Sequence, residues 1–407
     1  MSKKRRSPSR KMSGTVMLFF FLAFLLLALK DSSREGYILC VAVPVMIYFG
    51  THLLPHFFPA DDLLLSLANF LCALGILILY ETHRAYAWQQ VIAYAVGLCG
   101  MMVCAYLIRS LRSWRFPVLL LIPFSLLLLA LPLLLGREIN GARNWISFGS
   151  FSFQPSEVVK LPLVLILAWF MSRRTVLPWL LFCAACLGLL MLQKDLGTAL
   201  VYCCVALLLY WIASGNWVMT ALGAMGGCAT AVLGYRLFAH VRTRVAIWQN
   251  PWADYDRTGY QIVQGLIALA SGGWFGVGLG LGSPTAIPVY QSDYIFAVIC
   301  EQFGLVFGVC VLGIYVALVI RGAMIAMAAR RSFHALLAVS CVMLIGFQTF
   351  IIIGGVLKLI PLTGVTMPFV SYGGTSLVSS LCLIGFVQGV GSLNEEELAE
   401  DAHLAIL

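Results

Sequence analysis

Asp293 is the residue of this chain whose type and position most strongly indicate chemistry. It lies in YQSDYIFAVICEQFG, where a glycine-rich polar stretch meets an apolar run long enough to cross a membrane. A carboxylate there is costly unless it is paired, caps the helix or reacts. Arg242, Arg244 and the glycine run SGGWFGVGLGLG occur in the preceding polar stretch. A base beside cations and flexible backbone indicates a reaction on an anionic substrate at a membrane surface.

Two further motifs place charged residues at the ends of apolar runs. In QPSEVVK, Glu157 and Lys160 are spaced i, i+3, so they can enter a low-dielectric region as a neutral pair. A structural salt bridge and a role in substrate binding are both open for this pair. In QKDLGT, Lys194 and Asp195 precede a new apolar run. Asp195 is expected either to cap the next helix or to line a polar cavity.

The last two motifs follow the glycine run, which is typical either of a phosphate-binding backbone or of a mobile turn. Glu301 lies about two helical turns after Asp293, so both carboxylates are expected on one polar stripe. Alternatively, Glu301 is the buried partner of a base such as Lys160. Prolines and glycines interrupt PLTGVTMPFVSYGGTS, in which Ser371 and Tyr372 supply hydroxyl groups. Broken backbone at membrane depth is tolerated where it lines a protein-enclosed cavity.

The composition indicates that these residues belong to a membrane protein. Hydrophobic residues make up 61% of the 407 residues, and charged residues only 11%. The net charge of +9 is therefore expected to determine the orientation of the chain in the membrane and its contacts with anionic lipids. No nucleic-acid partner is expected. The cysteines lie in apolar runs and the six histidines are scattered, so neither a disulfide framework nor a protein-ligated metal site is predicted.

About twelve apolar windows are long enough to form transmembrane helices. They lie near residues 14–30, 37–54, 63–80, 90–108, 116–135, 158–171, 175–193, 196–213, 217–235, 294–320, 333–356 and 369–390. We therefore predict an all-α, polytopic helical bundle with both termini cytoplasmic and a large outer loop before Asp293. Short connections that contain Arg109, Arg112 and Arg115, or Arg173 with Arg174, agree with the positive-inside rule for this orientation.

Three parts follow along the chain. Residues 1–60 form a basic cytoplasmic tail with two extra N-terminal spans, residues 61–392 form a polytopic core, and residues 393–407 form a short acidic tail. The acidic tail is expected to be a solvated cytoplasmic end.

The motifs of the core resemble those of the SEDS (shape, elongation, division and sporulation) family, which includes RodA, FtsW and SpoVE. The resemblance rests on GARNWI with QPSEVVK, KDLGT, GYQIVQGL with SGGWFGVGLG, SDYIFA with Glu301, and PLTGVTMPFVSYGGTS, in that order. HVRTRV, LKLIPLTG and the two extra spans are most similar to RodA-type members. Lys194 stands where many members have Pro, Ser292 where many have Thr, and Gln302 where many have Glu. Because of these differences, the resemblance does not assign the chain to elongation, division or sporulation.

This resemblance implies a peptidoglycan glycosyltransferase that polymerises lipid II at the outer face of the bacterial cytoplasmic membrane. It also implies a class B penicillin-binding protein as partner, and Asp293, which matches the family's essential aspartate, as general base. The candidate substrate-binding residues are Arg242, Arg244, Lys194, Asp195, Glu157, Lys160, Glu301, Ser371 and Tyr372. No cofactor is evident, although a divalent cation such as Mg²⁺ could assist. A lipid II flippase and a non-catalytic scaffold of the cell-wall synthesis complex are the alternative functions.

Overall fold

The computed structural model describes residues 8–111, 113–139, 142–148 and 151–404. Its helices are α1 (Pro8–Asp31), α2 (Arg34–Tyr48), α3 (Asp62–Thr82), α4 (Arg84–Ser110), α5 (Arg115–Leu135), α6 (Pro155–Ser172), α7 (Val176–Leu192), α8 (Leu196–Ser214), α9 (Trp217–Leu237), α10 (Ala239–Gln249), α11 (Tyr260–Gly272), α12 (Ile295–Ala328), α13 (Ser332–Val356) and α14 (Gly374–Leu404). Eleven of the helical segments are long and apolar enough to cross a membrane, and α7 is a shorter apolar helix. The twelve predicted windows coincide with these twelve segments, which confirms the all-α polytopic bundle.

The core of the bundle is formed by helices that are buried along most of their length. α3, α6, α13 and α14 are the most buried of the candidate spans, whereas α9 is almost entirely exposed. Glycines let α14 approach α4 closely, because a Cβ at Gly385 would lie only 2.4 Å from the backbone oxygen of Met101. Small residues at helix interfaces give membrane bundles their close packing, since lipid provides no hydrophobic driving force between helices.

The segment between α5 and α6 contains a small antiparallel sheet, whereas the sequence predicted only helices and loops. Its strands are β1 (Arg137–Ile139), β2 (Ala142–Phe148) and β3 (Phe151–Phe153), in the order β1-β2-β3. The register pairs Ile146 with Phe153. The backbone N–H of Arg143 donates to the carbonyl of Gln193 at 3.0 Å. The sheet is thereby fixed against the turn between α7 and α8.

The connections of the bundle gather at two opposite ends, as the alternation of spans requires. At one end Arg321 pairs with Asp61 at 2.5 Å and Arg109 with Glu396 at 2.5 Å. Arg112, which was grouped with these cations, lies outside the described residues. The other end holds the sheet, α10, α11 and the segment before α14. The assignment of these ends to the cytoplasm and the outer face stays a prediction.

The acidic C-terminal segment is helical, and residues 393–401 are exposed or partly exposed. α14 continues without interruption to Leu404. Glu396 pairs with Arg109 and Asp401 with Arg330. The acidic residues therefore extend the last helix and neutralise basic residues at this end of the bundle.

The glycine run before Asp293 is part of the packing around a break in α12. Gly304 has a φ of +86°, which interrupts the helix and frees the carbonyl groups before it. The backbone N–H of Val277 donates to the carbonyl of Glu301 at 2.9 Å, and that of Gly278 to the carbonyl of Gln302 at 3.0 Å. These donors satisfy broken backbone inside the protein. Both N–H groups are therefore already occupied, which contradicts a phosphate-binding role for this part of the run.

Candidate active site

Asp293 lies in a tight turn immediately before α12. Val289 opens the turn with a φ of +56°, and the N–H of Asp293 donates to the carbonyl of Val289 at 3.2 Å. The hydroxyl of Ser292 donates to Asp293 Oδ1 at 2.9 Å. Tyr294, not Asp293, occupies the N-cap position of α12, and no side chain caps this end. The carboxylate is therefore not used as a helix cap.

Arg244 on α10 and Asp293 face the same small space beside Gly364. A Cβ at Gly364 would lie 3.8 Å from Asp293 Oδ2 and 3.8 Å from Arg244 Nη2. Gly364 has a φ of +74°, a conformation that side-chain-bearing residues rarely adopt. Arg244 also donates through Nη1 to the carbonyl of Thr363 at 3.0 Å. Because Gly364 has no side chain, the carboxylate of Asp293 and the guanidinium of Arg244 face a common space at this point.

The electrostatic environment of Asp293 suits a base. Burial raises the pKa of its carboxyl group, and the Ser292 hydrogen bond and the nearby Arg244 charge lower it by less. A carboxylate of raised pKa accepts a proton more readily than an ordinary aspartate does. The geometry therefore combines proton acceptance at Asp293 with stabilisation of negative charge at Arg244.

Arg242 lies on a different face of α10 from Arg244. Residues spaced i, i+2 on a helix do not face each other. Arg242 is exposed, and Arg244 is the arginine whose charge acts on Asp293. The structure therefore brings only one of the two predicted arginines to the base.

The KDLGT turn between α7 and α8 closes another side of the site. Asp195 caps α8, because its Oδ1 accepts from the N–H of Thr198 at 3.2 Å. Its other oxygen accepts from Asn144 and Gln154 at 3.0 and 2.9 Å. The capping interpretation of Asp195 is confirmed, and both oxygens have structural partners.

Lys194 precedes this cap with a φ of +61° and an exposed side chain. The turn touches the segment before α14, since a Cβ at Gly197 would lie 2.8 Å from the carbonyl oxygen of Thr363. The charge of Lys194 also lowers the pKa of His240 on α10. Lys194 therefore lies within electrostatic reach of the face of α10 that carries Arg244.

Ser371 and Tyr372 hold the turn that contains Asp293. The hydroxyl of Ser371 donates to the carbonyl of Ser292 at 2.5 Å and accepts from the N–H of Met367 at 2.9 Å. The N–H of Tyr372 donates to the carbonyl of Gln291 at 2.9 Å. These residues were predicted to bind substrate, and the structure shows them fixing the backbone on either side of the base.

The Glu157–Lys160 pair is a buried ion pair in α6. Lys160 Nζ lies 2.6 Å from Glu157 Oε2, and both side chains are almost fully buried. Lys160 also donates to Gln348 Oε1 at 2.8 Å, and the hydroxyl of Ser379 lies 3.4 Å from Glu157 Oε2. The predicted i, i+3 pairing is confirmed.

Glu301 is not the partner of Lys160. It accepts through Oε1 from the N–H of Ser283 at 3.0 Å. The prediction that Glu301 and Asp293 share one polar face of a helix is also wrong. Asp293 precedes the first turn of α12 and lies near Arg244. Glu301 instead faces the glycine-run segment, where a Cβ at Gly282 would lie 2.9 Å from its Oε2.

Sequence reasoning missed three residues of this site: His240, Thr363 and Gly364. The Nε2 of His240 and the Oγ1 of Thr363 are buried without a hydrogen-bond partner among the described residues. The spacing of His240 and Arg244 could have indicated the histidine, because i, i+4 residues share a helix face. Only the fold brings the other two to Arg244.

Comparison with known proteins identifies close relatives along most of the chain. A family model for FtsW, RodA and SpoVE, described as "Cell cycle protein", matches residues 63–396. The peptidoglycan glycosyltransferase RodA of Mycobacterium bovis is 32% identical over 93% of this chain and 90% of its own length. Stage V sporulation protein E of Bacillus subtilis is 32% identical over 81% of this chain and 96% of its own length.

Solved structures agree with this result. A chain from a peptidoglycan synthase complex, described as coordinating polymerization and crosslinking, superposes with a TM-score of 0.69. It is 31% identical over 83% of this chain and 98% of its own length. Thermus thermophilus rod shape determining protein RodA gives a TM-score of 0.60 at 31% identity, over 83% of this chain and 98% of its own.

Proposed function

Because this chain belongs to the FtsW/RodA/SpoVE family of cell cycle proteins, we propose that it polymerises lipid II with Asp293 as general base. The chain is a multi-pass membrane protein and a peptidoglycan glycosyltransferase. The observation that carries the site proposal is the space beside Gly364, which Asp293 Oδ2 and Arg244 Nη2 both face. We place the reaction at the outer face of the bacterial cytoplasmic membrane.

The proposed step is a glycosyl transfer between two lipid-linked saccharides. The 4-hydroxyl oxygen of the acceptor forms a bond to the anomeric carbon of the donor, and its proton passes to the carboxylate of Asp293. The bond between that carbon and the pyrophosphate oxygen breaks, and its electron pair leaves with the pyrophosphate. Arg244 and Lys194 stabilise the negative charge that develops there. A single base, with no paired nucleophile among the described residues, corresponds to an inverting displacement. Assistance by a divalent cation such as Mg²⁺ stays an untested option, and the proposed step does not depend on it.

The residues around Asp293 keep it in position for this step. Ser371 and Tyr372 bind the backbone carbonyls of Ser292 and Gln291, so the turn cannot shift without breaking both bonds. Placement of a base matters because a displacement of about 1 Å can cost on the order of a hundredfold in rate. We therefore assign Ser371 and Tyr372 a positioning role.

We propose a class B penicillin-binding protein as the partner of this chain. The structural relative with the TM-score of 0.69 comes from a synthase complex that coordinates polymerization and crosslinking. Polymerisation by this chain and crosslinking by a transpeptidase would supply the two activities of such a complex.

The test is polymer formation from lipid II by the purified chain with its transpeptidase partner blocked by a β-lactam. Asp293→Asn keeps the size of the side chain and removes its basicity, so polymer formation should fall by about a hundredfold or more. Asp256→Asn is the matched control, because Asp256 is an exposed acid of the same outer segment. Wild-type polymer yield from Asp293→Asn would reject the catalytic assignment and favour a flippase or a scaffold.

A further inference from the structure

Two buried polar atoms beside Arg244 lack hydrogen-bond partners within the described part of the chain. They are Nε2 of His240 on α10 and Oγ1 of Thr363 before α14. Buried polar groups are nearly always satisfied in folded proteins, so two such atoms beside one guanidinium have hydrogen-bonding capacity that a bound anion could use. Neither atom is used by the mechanism above.

The elements around Arg244 bring these two side chains to one place. His240 and Arg244 share a face of α10 because they are one helical turn apart. Arg244 donates to the carbonyl of Thr363 at 3.0 Å, so Thr363 lies at the end of the same guanidinium. A Cβ at Gly197 would lie 3.1 Å from the Cβ of Thr363, which brings the turn containing Lys194 against this segment.

The charges that act on His240 are all positive. Burial, the guanidinium of Arg244 from its own helix and the ammonium of Lys194 from the α7–α8 turn lower its pKa. The same guanidinium also acts on Asp293, the carboxylate of the site, and lowers its pKa. The imidazole is therefore neutral at pH 7 without a bound anion. An anion between these cations would raise the pKa of the imidazole, because it would offset their positive charge.

We infer that His240 and Thr363 complete, with Arg244 and Lys194, a subsite for a diphosphate, and that His240 takes up one proton when the diphosphate binds. This inference rests on the proposed function, since the leaving group of that reaction is a diphosphate. The protonated Nε2 and the hydroxyl of Thr363 donate hydrogen bonds to phosphate oxygens. The guanidinium of Arg244 contacts the carbonyl of Thr363 and faces, with Asp293, the space beside Gly364, so the subsite adjoins that space.

Proton uptake gives the subsite a defined pH dependence. The imidazole is neutral in the empty site and charged in the occupied site, so its pKa rises on binding. Affinity for the diphosphate therefore increases as pH falls through the interval between the two values. The same coupling favours release of the leaving group at higher pH.

The test is calorimetric binding of inorganic pyrophosphate to the full-length chain in detergent, in two buffers of different protonation enthalpy. The wild type should take up about one more proton per binding event than His240→Gln, which retains a donor but cannot titrate. His240→Ala should bind pyrophosphate about tenfold more weakly, because it loses a hydrogen bond to a charged group. Thr363→Val, an isosteric change, should also weaken binding.

His56→Gln is the control for the proton count, because His56 bonds to the backbone of His52 in the connection between α2 and α3, a different part of the chain. Orthophosphate should bind more weakly than pyrophosphate if the subsite is built for two phosphates. Equal proton uptake by wild type and His240→Gln, unchanged affinity in His240→Ala, or no pyrophosphate binding by the wild type would each overturn the inference. Binding is measured without turnover, so its failure is distinct from loss of polymerisation in Asp293→Asn.

Discussion

Replacing Lys160 by Met tests whether the buried ion pair of α6 is structural. Methionine keeps an unbranched side chain of similar length and removes the ammonium group. Lys160 is 1% exposed and contacts Glu157 at 2.6 Å and Gln348 at 2.8 Å. Within the described part of the chain, the variant therefore leaves Glu157 buried with the hydroxyl of Ser379, at 3.4 Å, as its remaining side-chain donor.

The expected cost follows from that uncompensated charge. Removing one partner of a buried ion pair destabilises a protein by about 3–5 kcal/mol. The double variant Glu157→Gln with Lys160→Met leaves no buried charge, so it should be more stable than Lys160→Met alone. Arg84→Met is the matched control, because its pair with Asp31 is 3.4 Å long and both side chains are at least a third exposed. It should cost no more than about 1 kcal/mol.

The assay is the unfolding midpoint of each purified variant, with polymer formation from lipid II measured in parallel. Wild-type stability in Lys160→Met would refute the structural assignment. A double variant that regains both stability and polymerisation would support it. Recovery of stability without polymerisation would instead assign the pair to substrate binding, the alternative that the sequence left open.

Four further expectations follow from the site. Gly364→Ala and Gly215→Ala place alanine at φ of +74° and +66°, so each should lower the free energy of unfolding by about 1–2 kcal/mol. Only Gly364→Ala also puts a methyl group 3.8 Å from Asp293 Oδ2. Polymerisation rates per folded molecule should fall for Gly364→Ala alone, and equal rates would contradict the proposed substrate space. Tyr294→Phe removes a buried hydroxyl that has no partner among the described residues. Its unfolding free energy should stay unchanged or rise by up to about 1–3 kcal/mol, and a clear fall would disprove the unpaired state. Because burial raises the pKa of Asp293, kcat/KM should decline as pH falls through that raised value, and an acid limb at the pH of an ordinary aspartate would contradict the raised pKa. A pKa raised by folding also removes stability as pH rises, so Asp293→Asn should be more stable than wild type at neutral pH.

Features set by local sequence could be predicted well. The twelve windows are long apolar runs, and a run of that kind in lipid can satisfy its backbone only as a helix. Asp195 precedes an apolar run, where a helix cap is needed, and Glu157 and Lys160 share a helix face by spacing alone. Each of these predictions depends on residues within one or two helical turns.

Features that depend on distant segments could not be predicted from the sequence. The break at Gly304 is stable only because Val277 and Gly278 donate to the carbonyls before it. Arg244 was indistinguishable from Arg242 until the direction of α10 was known. The sequence made Glu301 a candidate partner for a base such as Lys160, yet the fold places it against the backbone of the glycine-run segment. These outcomes depend on tertiary contacts that neither spacing nor composition contains.

The segment between α13 and α14 explains how residues so far apart in sequence form one site. Its carbonyl at Thr363 accepts from Arg244, its carbonyl at Thr366 accepts from Gln348 at 2.8 Å, and its Ser371 hydroxyl donates to the Asp293 turn. Gln348 also receives a hydrogen bond from Lys160. A single irregular segment therefore connects the cation, the base and the buried ion pair. An element with backbone groups free on both sides can make all these bonds, whereas a continuous helix would use the same groups internally. The prolines and glycines that prevent a helix here are consequently part of the architecture of the proposed active site.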